Sequence, residues 1–128
     1  ALRFLIALTA GHPGDTPRDR RHREARDYGL AKLIEAQLPG GGWPQRWDGR
    51  PVNPADYPVQ SARFPTAWPR EHPKTSYYGH YTLNDDTQRD CILTLLDAAR
   101  QLNRPDCRAA ALRGAEFLEM AAGLAGAD

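Results

Sequence analysis

The sequence predicts an all-α protein, and three observations carry that expectation. Four separate stretches place apolar residues at the helical period. Start and stop signals stand where such helices would begin and end: a proline at Pro105, and the Pro39–Gly42 run after the second stretch. The third is a faint internal repeat. A shift of 85 residues superposes Arg23, Ala25, Gly29, Leu33 and Ala36 on Arg108, Ala110, Gly114, Leu118 and Ala121.

The first helix is expected over residues 1–10, with Leu2, Leu5, Ile6 and Thr9 on one side. A Gly-Pro-Asp loop, Gly11 to Pro17, follows it. The second runs from about Arg18 to Leu38, with Ala25, Tyr28, Gly29, Leu33 and Ala36 along one stripe. The third starts near Asp85 and ends near Leu102. Its Cys91, Leu95, Ala98 and Leu102 recur at i, i+4, i+7 and i+11. The fourth begins at Pro105, a favoured first helical position, and reaches about Ala122. The short link between the last two requires them to pack antiparallel. Small residues in the repeated stripe allow close helix approach, although alanine-rich helices converge on similar patterns. Two copies of a helical hairpin are the unit of α/α toroids and solenoids.

Pro39 to Tyr81 is different. It holds eight of the eleven prolines and eight of the eleven aromatics, with almost no aliphatic residue. Disordered segments are poor in aromatics, and long loops in compact domains are usually functional. An ordered, functional, aromatic and proline-rich loop is therefore expected.

At 128 residues the chain is one domain at most. Both ends interrupt helical patterns, so residues 1–128 are expected to be a fragment of a larger protein. The net charge of +1 gives no footprint for nucleic acid. The Arg18–Arg26 cluster has acids interleaved and reads as a solvated helix start. No apolar run approaches the ~20 residues that span a bilayer. Cys91 and Cys107 lie near the starts of two antiparallel helices. At ~1.5 Å per residue this separates them by roughly 15–20 Å, so both are expected to be free, buried thiols.

Two motifs carry chemistry. In Tyr77–Cys91, a histidine (His80), Asn84 and two carboxylates (Asp85, Asp86) run from an aromatic loop into a helix. One reading is capping, with Gln88 completing a capping box three residues after Asp85. The other is a hard-cation site, since calcium takes carboxylate and amide oxygens. The spacing is not that of an EF-hand, and no Cys/His spacing suits zinc. In Gln37–Gln45, the glycines end a helix and Trp43 either packs back on it or faces a ligand. Exposed Trp and Tyr faces stack on sugar rings, so Trp43, Trp47, Trp68, Tyr77 and Tyr78 are candidates for a carbohydrate cleft. His12, His22 and His72 read as surface or loop residues. No Ser-His-Asp, Cys-His or phosphate-loop pattern is present.

Together these motifs resemble a known family. Ala36-Gln-Leu-Pro-Gly-Gly-Gly-Trp-Pro-Gln45 resembles the AQYPNGGWPQ element of the pectate lyases of polysaccharide lyase family 10. His80-Tyr-Thr-Leu-Asn-Asp-Asp86 resembles that family's HITYNDDA element. The resemblance spans most of the chain but about the first half of such an enzyme. It implies a partial α/α toroid with an open groove, secreted, that cleaves polygalacturonate by calcium-assisted β-elimination. It implies that Asp85 is the catalytic, calcium-binding carboxylate with Asp86 as a second metal residue. Trp43, Tyr78, His80 and Asn84 would contact substrate. The family's proton-abstracting arginine lies in the other half, so no arginine here takes that role, and this chain alone is expected to be inactive. Three departures stand out: Gly40 in place of Asn, Thr87 in place of Ala, and a longer Asp48–Lys74 segment. Two other readings remain open. One is another α/α toroid of the terpene cyclase or prenyltransferase kind, which also brace helix ends with Gly-Gly-Trp. The other is a carbohydrate-binding helical module without chemistry.

Overall fold

The computed structural model describes residues 1–58 and 76–126. The Trp68 and His72 candidates, and most of the Asp48–Lys74 segment, lie outside the described residues. Within them the chain forms α1 (Leu2–Gly11), α2 (Pro17–Glu35), α3 (Thr87–Leu102) and α4 (Pro105–Gly126), with no strand. The all-α expectation is met. No helix here is long and apolar enough to cross a membrane.

Short links make two hairpins, α1–α2 and α3–α4, and α1 also packs on α3. The α2 start is fixed by a capping box. Thr16 Oγ1 accepts from the Asp19 amide while Asp19 accepts from the Thr16 amide, and Pro17 takes the first helical position. Polar pairs tie the helices together. Arg26 donates to Thr9 Oγ1 across α1–α2 at 2.8 Å. Arg3 pairs with Asp97 across α1–α3 at 2.6 Å.

The expected α2 stripe is met in part. Leu33 and Gly29 are half-buried and Ala36 is buried, joined by Leu30 and Ile34, whereas Ala25 and Tyr28 are exposed. Arg26 stands half-buried between those two, with its guanidinium donating to Thr9 and its stem packed along α1–α2. The repeat is accordingly unequal in its surroundings. Ala25 is exposed while Ala110 is fully buried. Gly29 abuts Leu2, while Gly114 abuts Trp43 and Ile92.

On α4, Cys107, Ala110, Ala111, Gly114 and Phe117 turn inward. Leu112 and Met120 remain half exposed, an apolar flank on the outer side of this helix. On α3, Leu95 and Ala98 are fully buried, while Cys91 and Leu102 only border the core. Both cysteines are free, as expected, but only Cys107 is buried. Partial burial is still enough to push the Cys91 thiol up to about 11.

Among the described residues, the largest buried side chain comes from no helix. Trp43, 1% exposed, projects from the glycine turn into the space between α2, α3 and α4. Its indole Nε1 donates to the Leu33 carbonyl at 2.8 Å. A Cβ at Gly114 would lie 2.6 Å from the indole ring, so α4 approaches the ring closely because that position is glycine.

Candidate functional site

The site rests on the turn that follows α2. Leu38 and Gly42 close it through a 2.8 Å amide–carbonyl bond, and Gly41 has φ of +98°. A side chain at Gly41 would collide with the Arg113 carbonyl, so glycine is required there on both counts. Gln37 locks the turn to α4. Its Nε2 donates to the Gly41 carbonyl at 2.6 Å and the Ala110 carbonyl at 2.9 Å, and its Oε1 accepts from Arg113.

Two further contacts bring the second motif onto this turn. Pro44 and Tyr81 form an isolated antiparallel bridge. The Tyr81 ring stacks on Phe117 with centroids 5.0 Å apart, and its hydroxyl accepts from the Gly40 amide. Gln88 completes the join. Its Oε1 accepts from the Trp43 amide at 2.9 Å, and its Nε2 donates to the Trp43 and Thr82 carbonyls, both at 2.7 Å. The expected capping box is therefore absent. Gln88 is buried and satisfies backbone groups of the facing loops instead of its own helix start.

The entry to α3 also differs from expectation. The helix begins at Thr87, and Asp85 and Asp86 both adopt the left-handed conformation, with φ of 57° and 55°. Aspartate tolerates that region better than most residues, yet two in succession cost energy that surrounding contacts must hold in place. Asp86 makes no side-chain cap; its carboxylate is 3.6 Å from Arg89. Asp85 Oδ2 accepts from Gln45 Nε2 at 2.6 Å and Asn84 Nδ2 at 3.2 Å. The adjacent carboxylates thus have separate partners.

Around Asp85 lies an aromatic and cationic surface. The Arg46 guanidinium sits 4.3 Å from the Tyr78 ring centroid, and the Arg46 amide donates to the Tyr78 carbonyl. Tyr77 packs at 4.6 Å against Tyr78. A hydrogen bond with Tyr78 is the main cause that holds the Tyr77 phenol above its ordinary value; nearby Asp85 adds to this and Arg46 opposes it. His80 packs edge-on to Tyr57 at 5.9 Å. A cleft of about 300 Å³ opens beside these groups, lined by Pro44, Arg46, Trp47, Asp48, Tyr57 and Gly79.

The expected site residues therefore divide. Asn84, Asp85 and Tyr78 share this surface with Arg46, while His80 flanks it through Tyr57. Trp43 does not present a ring to any ligand: it is a core residue, because the Gly41 turn and the Gln88 clamp turn it inward. Gln45 and Arg46 were not singled out from the sequence. The available signal was their place directly after Gly-Gly-Trp-Pro, where a core anchor forces the next residues back toward the surface. Among the described residues, no three His, Cys, Asp or Glu side chains gather as a metal cluster. Compared with known proteins, the chain matches no family model, no curated protein sequence and no solved structure.

Proposed function

We propose that this chain belongs to a pectate lyase, a secreted enzyme that cleaves polygalacturonate by calcium-assisted β-elimination. Its helical hairpins would be the units of a partial α/α toroid. One observation carries the reading. The two motifs that resemble the lyases, 40 residues apart in sequence at Gln45 and Asp85, meet through a 2.6 Å side-chain hydrogen bond. The backbone behind them is joined by Gln88.

The donor set suits calcium. Asp85 offers a carboxylate and Asn84 an amide oxygen, and among the described residues Gln45 Oε1 is buried with no hydrogen-bond partner. These groups are fewer than calcium's usual six to eight oxygen ligands. The uronate carboxylate and water would complete the shell, so the ion and substrate would bind together. Bound calcium would supply charge stabilisation, making the proton at C5 easier to remove.

The chain's own residues then bind and orient. Asp85 and Asn84 hold the cation position, and Gln45 keeps the Asp85 carboxylate in place. Asp86 acts as support, since Arg89 already neutralises part of its charge. Tyr77 and Tyr78 offer ring surface to the sugars. In the reaction a base would take the C5 proton, the C5–H electron pair would form the C4=C5 double bond of the new non-reducing end as the C4–O bond breaks, and the departing oxygen would take up a proton to become the hydroxyl of the new reducing end. The base is assigned to no residue of this chain.

In the intact protein, Asp85→Ala should nearly abolish the ultraviolet-absorbing unsaturated product while circular dichroism stays unchanged. Asp86→Ala should reduce it less. Near-normal turnover by Asp85→Ala would reject the role.

A further inference from the structure

A second cleft lies between the end of α3 and the start of α4, at the far end of that hairpin from Asp85. The 16 residues of α3, at ~1.5 Å each, put about 24 Å between the two. The cleft has a volume of about 500 Å³, within the range of small-molecule sites. Leu96, Ala99 and Pro105 form its apolar lining, and Arg100, Arg104 and Arg108 its charged lining. Among the described residues, no acidic side chain lines it.

The three arginines are not equivalent. Arg104 is occupied: Nε and Nη2 donate to Asp106 at 2.8 and 2.6 Å, and Nη1 lies 3.4 Å from Asp27 of α2. These pairs hold the α3–α4 turn, which forms one wall of the cleft, against α2. Arg100 and Arg108 are exposed, and among the described residues neither guanidinium has a hydrogen bond or an ion pair. The nearby carboxylates are taken. Asp106 goes to Arg104, Asp27 to Arg26 at 2.8 Å, and Asp97 of α3 to Arg3 at 2.6 Å. The helix dipole accounts for Arg100, since a cation is favoured in the last turn of α3. It does not account for Arg108, which stands in the opening turn of α4, where anions are favoured. Two open guanidinium forks therefore line one cleft.

We infer that this cleft binds a small organic phosphate: a phosphomonoester dianion on Arg100 and Arg108, with an apolar or ring-shaped body over Leu96, Ala99 and Pro105. One fork satisfies a carboxylate bidentately, so two forks call for more acceptors and more charge. A phosphomonoester supplies three acceptor oxygens and a charge of about −1.5 to −2 at neutral pH. The apolar lining sets it apart from inorganic phosphate, which would leave that surface in water. The site shares no residue with the Asp85 surface, so it stands independently of the lyase reading.

The test is calorimetry on the full chain at neutral pH and low salt, with phenyl phosphate as the probe. Inorganic phosphate and methyl phenyl phosphate, a monoanion, are the comparisons. Phenyl phosphate should bind about tenfold tighter than the monoanion, the size of one charge-assisted contact, and several-fold tighter than inorganic phosphate. Arg100→Gln and Arg108→Gln should each weaken phenyl phosphate about tenfold and bring it within about threefold of the monoanion. Arg108→Lys should keep part of the affinity, because the charge remains and the fork is lost. Arg21→Gln, an equally exposed arginine on α2, should change binding less than about twofold. Circular dichroism checks that the variants remain folded. The inference is overturned if phenyl phosphate does not bind, or binds Arg100→Gln and Arg108→Gln as it binds wild type. Equal weakening by Arg21→Gln would reduce the effect to overall charge, and weakening by Arg46→Gln alone would place the ligand in the other cleft; either result overturns it. Inorganic phosphate binding as tightly as phenyl phosphate also overturns it, since the apolar lining would then have no part.

Discussion

Replacing Gln88 by alanine should loosen the whole candidate site, because this one side chain joins the two loops that carry it. Gln88 is 4% exposed and makes three hydrogen bonds, one from the Trp43 amide and one each to the Trp43 and Thr82 carbonyls. Alanine leaves one donor and two acceptors facing a small cavity. Each hydrogen bond is worth about 1 kcal/mol net, and a stranded buried group costs about 1–3 kcal/mol. With water reaching some of these groups, the loss should be about 3–5 kcal/mol. That is a large share of the ~5–15 kcal/mol that holds a domain folded. At this chain length it corresponds to a fall in Tm of roughly 10–20 °C. Urea unfolding followed by circular dichroism measures it. Gln88→Glu retains the acceptor but loses both donors, and should cost nearly as much. A loss below about 1 kcal/mol for Gln88→Ala would show that the loops hold together without the clamp, and the reasoning would fail.

Two other predictions address the framework. Gly114→Ala places a methyl 2.6 Å from the Trp43 ring and 2.9 Å from Ile92. It should destabilise by about 1–3 kcal/mol even though alanine favours helix, and a stabilised variant would mean that Trp43 shifts freely. Asp106 is held down to about 2, chiefly by its hydrogen bond to Arg104. A depressed carboxylate contributes stability above its unfolded value, about 4, and loses it as pH falls toward the folded value. Asp106→Asn should therefore be less stable than wild type near neutrality, by less than about 1 kcal/mol because the pair is half exposed. The difference should close by about pH 2. A gap that persists there would assign the effect to the shape of the helix start, not to charge.

How much of this was legible in the sequence depends on the range over which each feature is decided. Helix existence is decided locally. Period and punctuation placed all four helices, and Pro105 marked the start of α4 to the residue. The register of a helix is decided by its neighbours. On α2, Ala25 and Tyr28 of the expected stripe are exposed while Arg26 turns in to bond Thr9 of α1, a partner no window on α2 contains. The Gly-Gly-Trp-Pro turn was visible as a helix stop, but the direction of Trp43 was not. A tryptophan after glycines fits a core or a groove equally well, and the cavity that took it is built from Leu33, Ile92 and Gly114 on three helices.

The acidic motif shows the same division. The sequence alone determined that Asn84, Asp85 and Asp86 stand at a helix entry beside an aromatic loop. It did not determine which carboxylate would be used, since both fit a cap. Tertiary structure gave the two carboxylates different partners: Gln88 bonds to Trp43, Asp85 to Gln45, and Asp86 lies beside Arg89. The physical reason is that buried backbone groups must find partners. The Trp43 segment, dragged inside by its indole, needed an amide partner more than the exposed helix start did, so the residue that reads as a cap became the clamp that shapes the site.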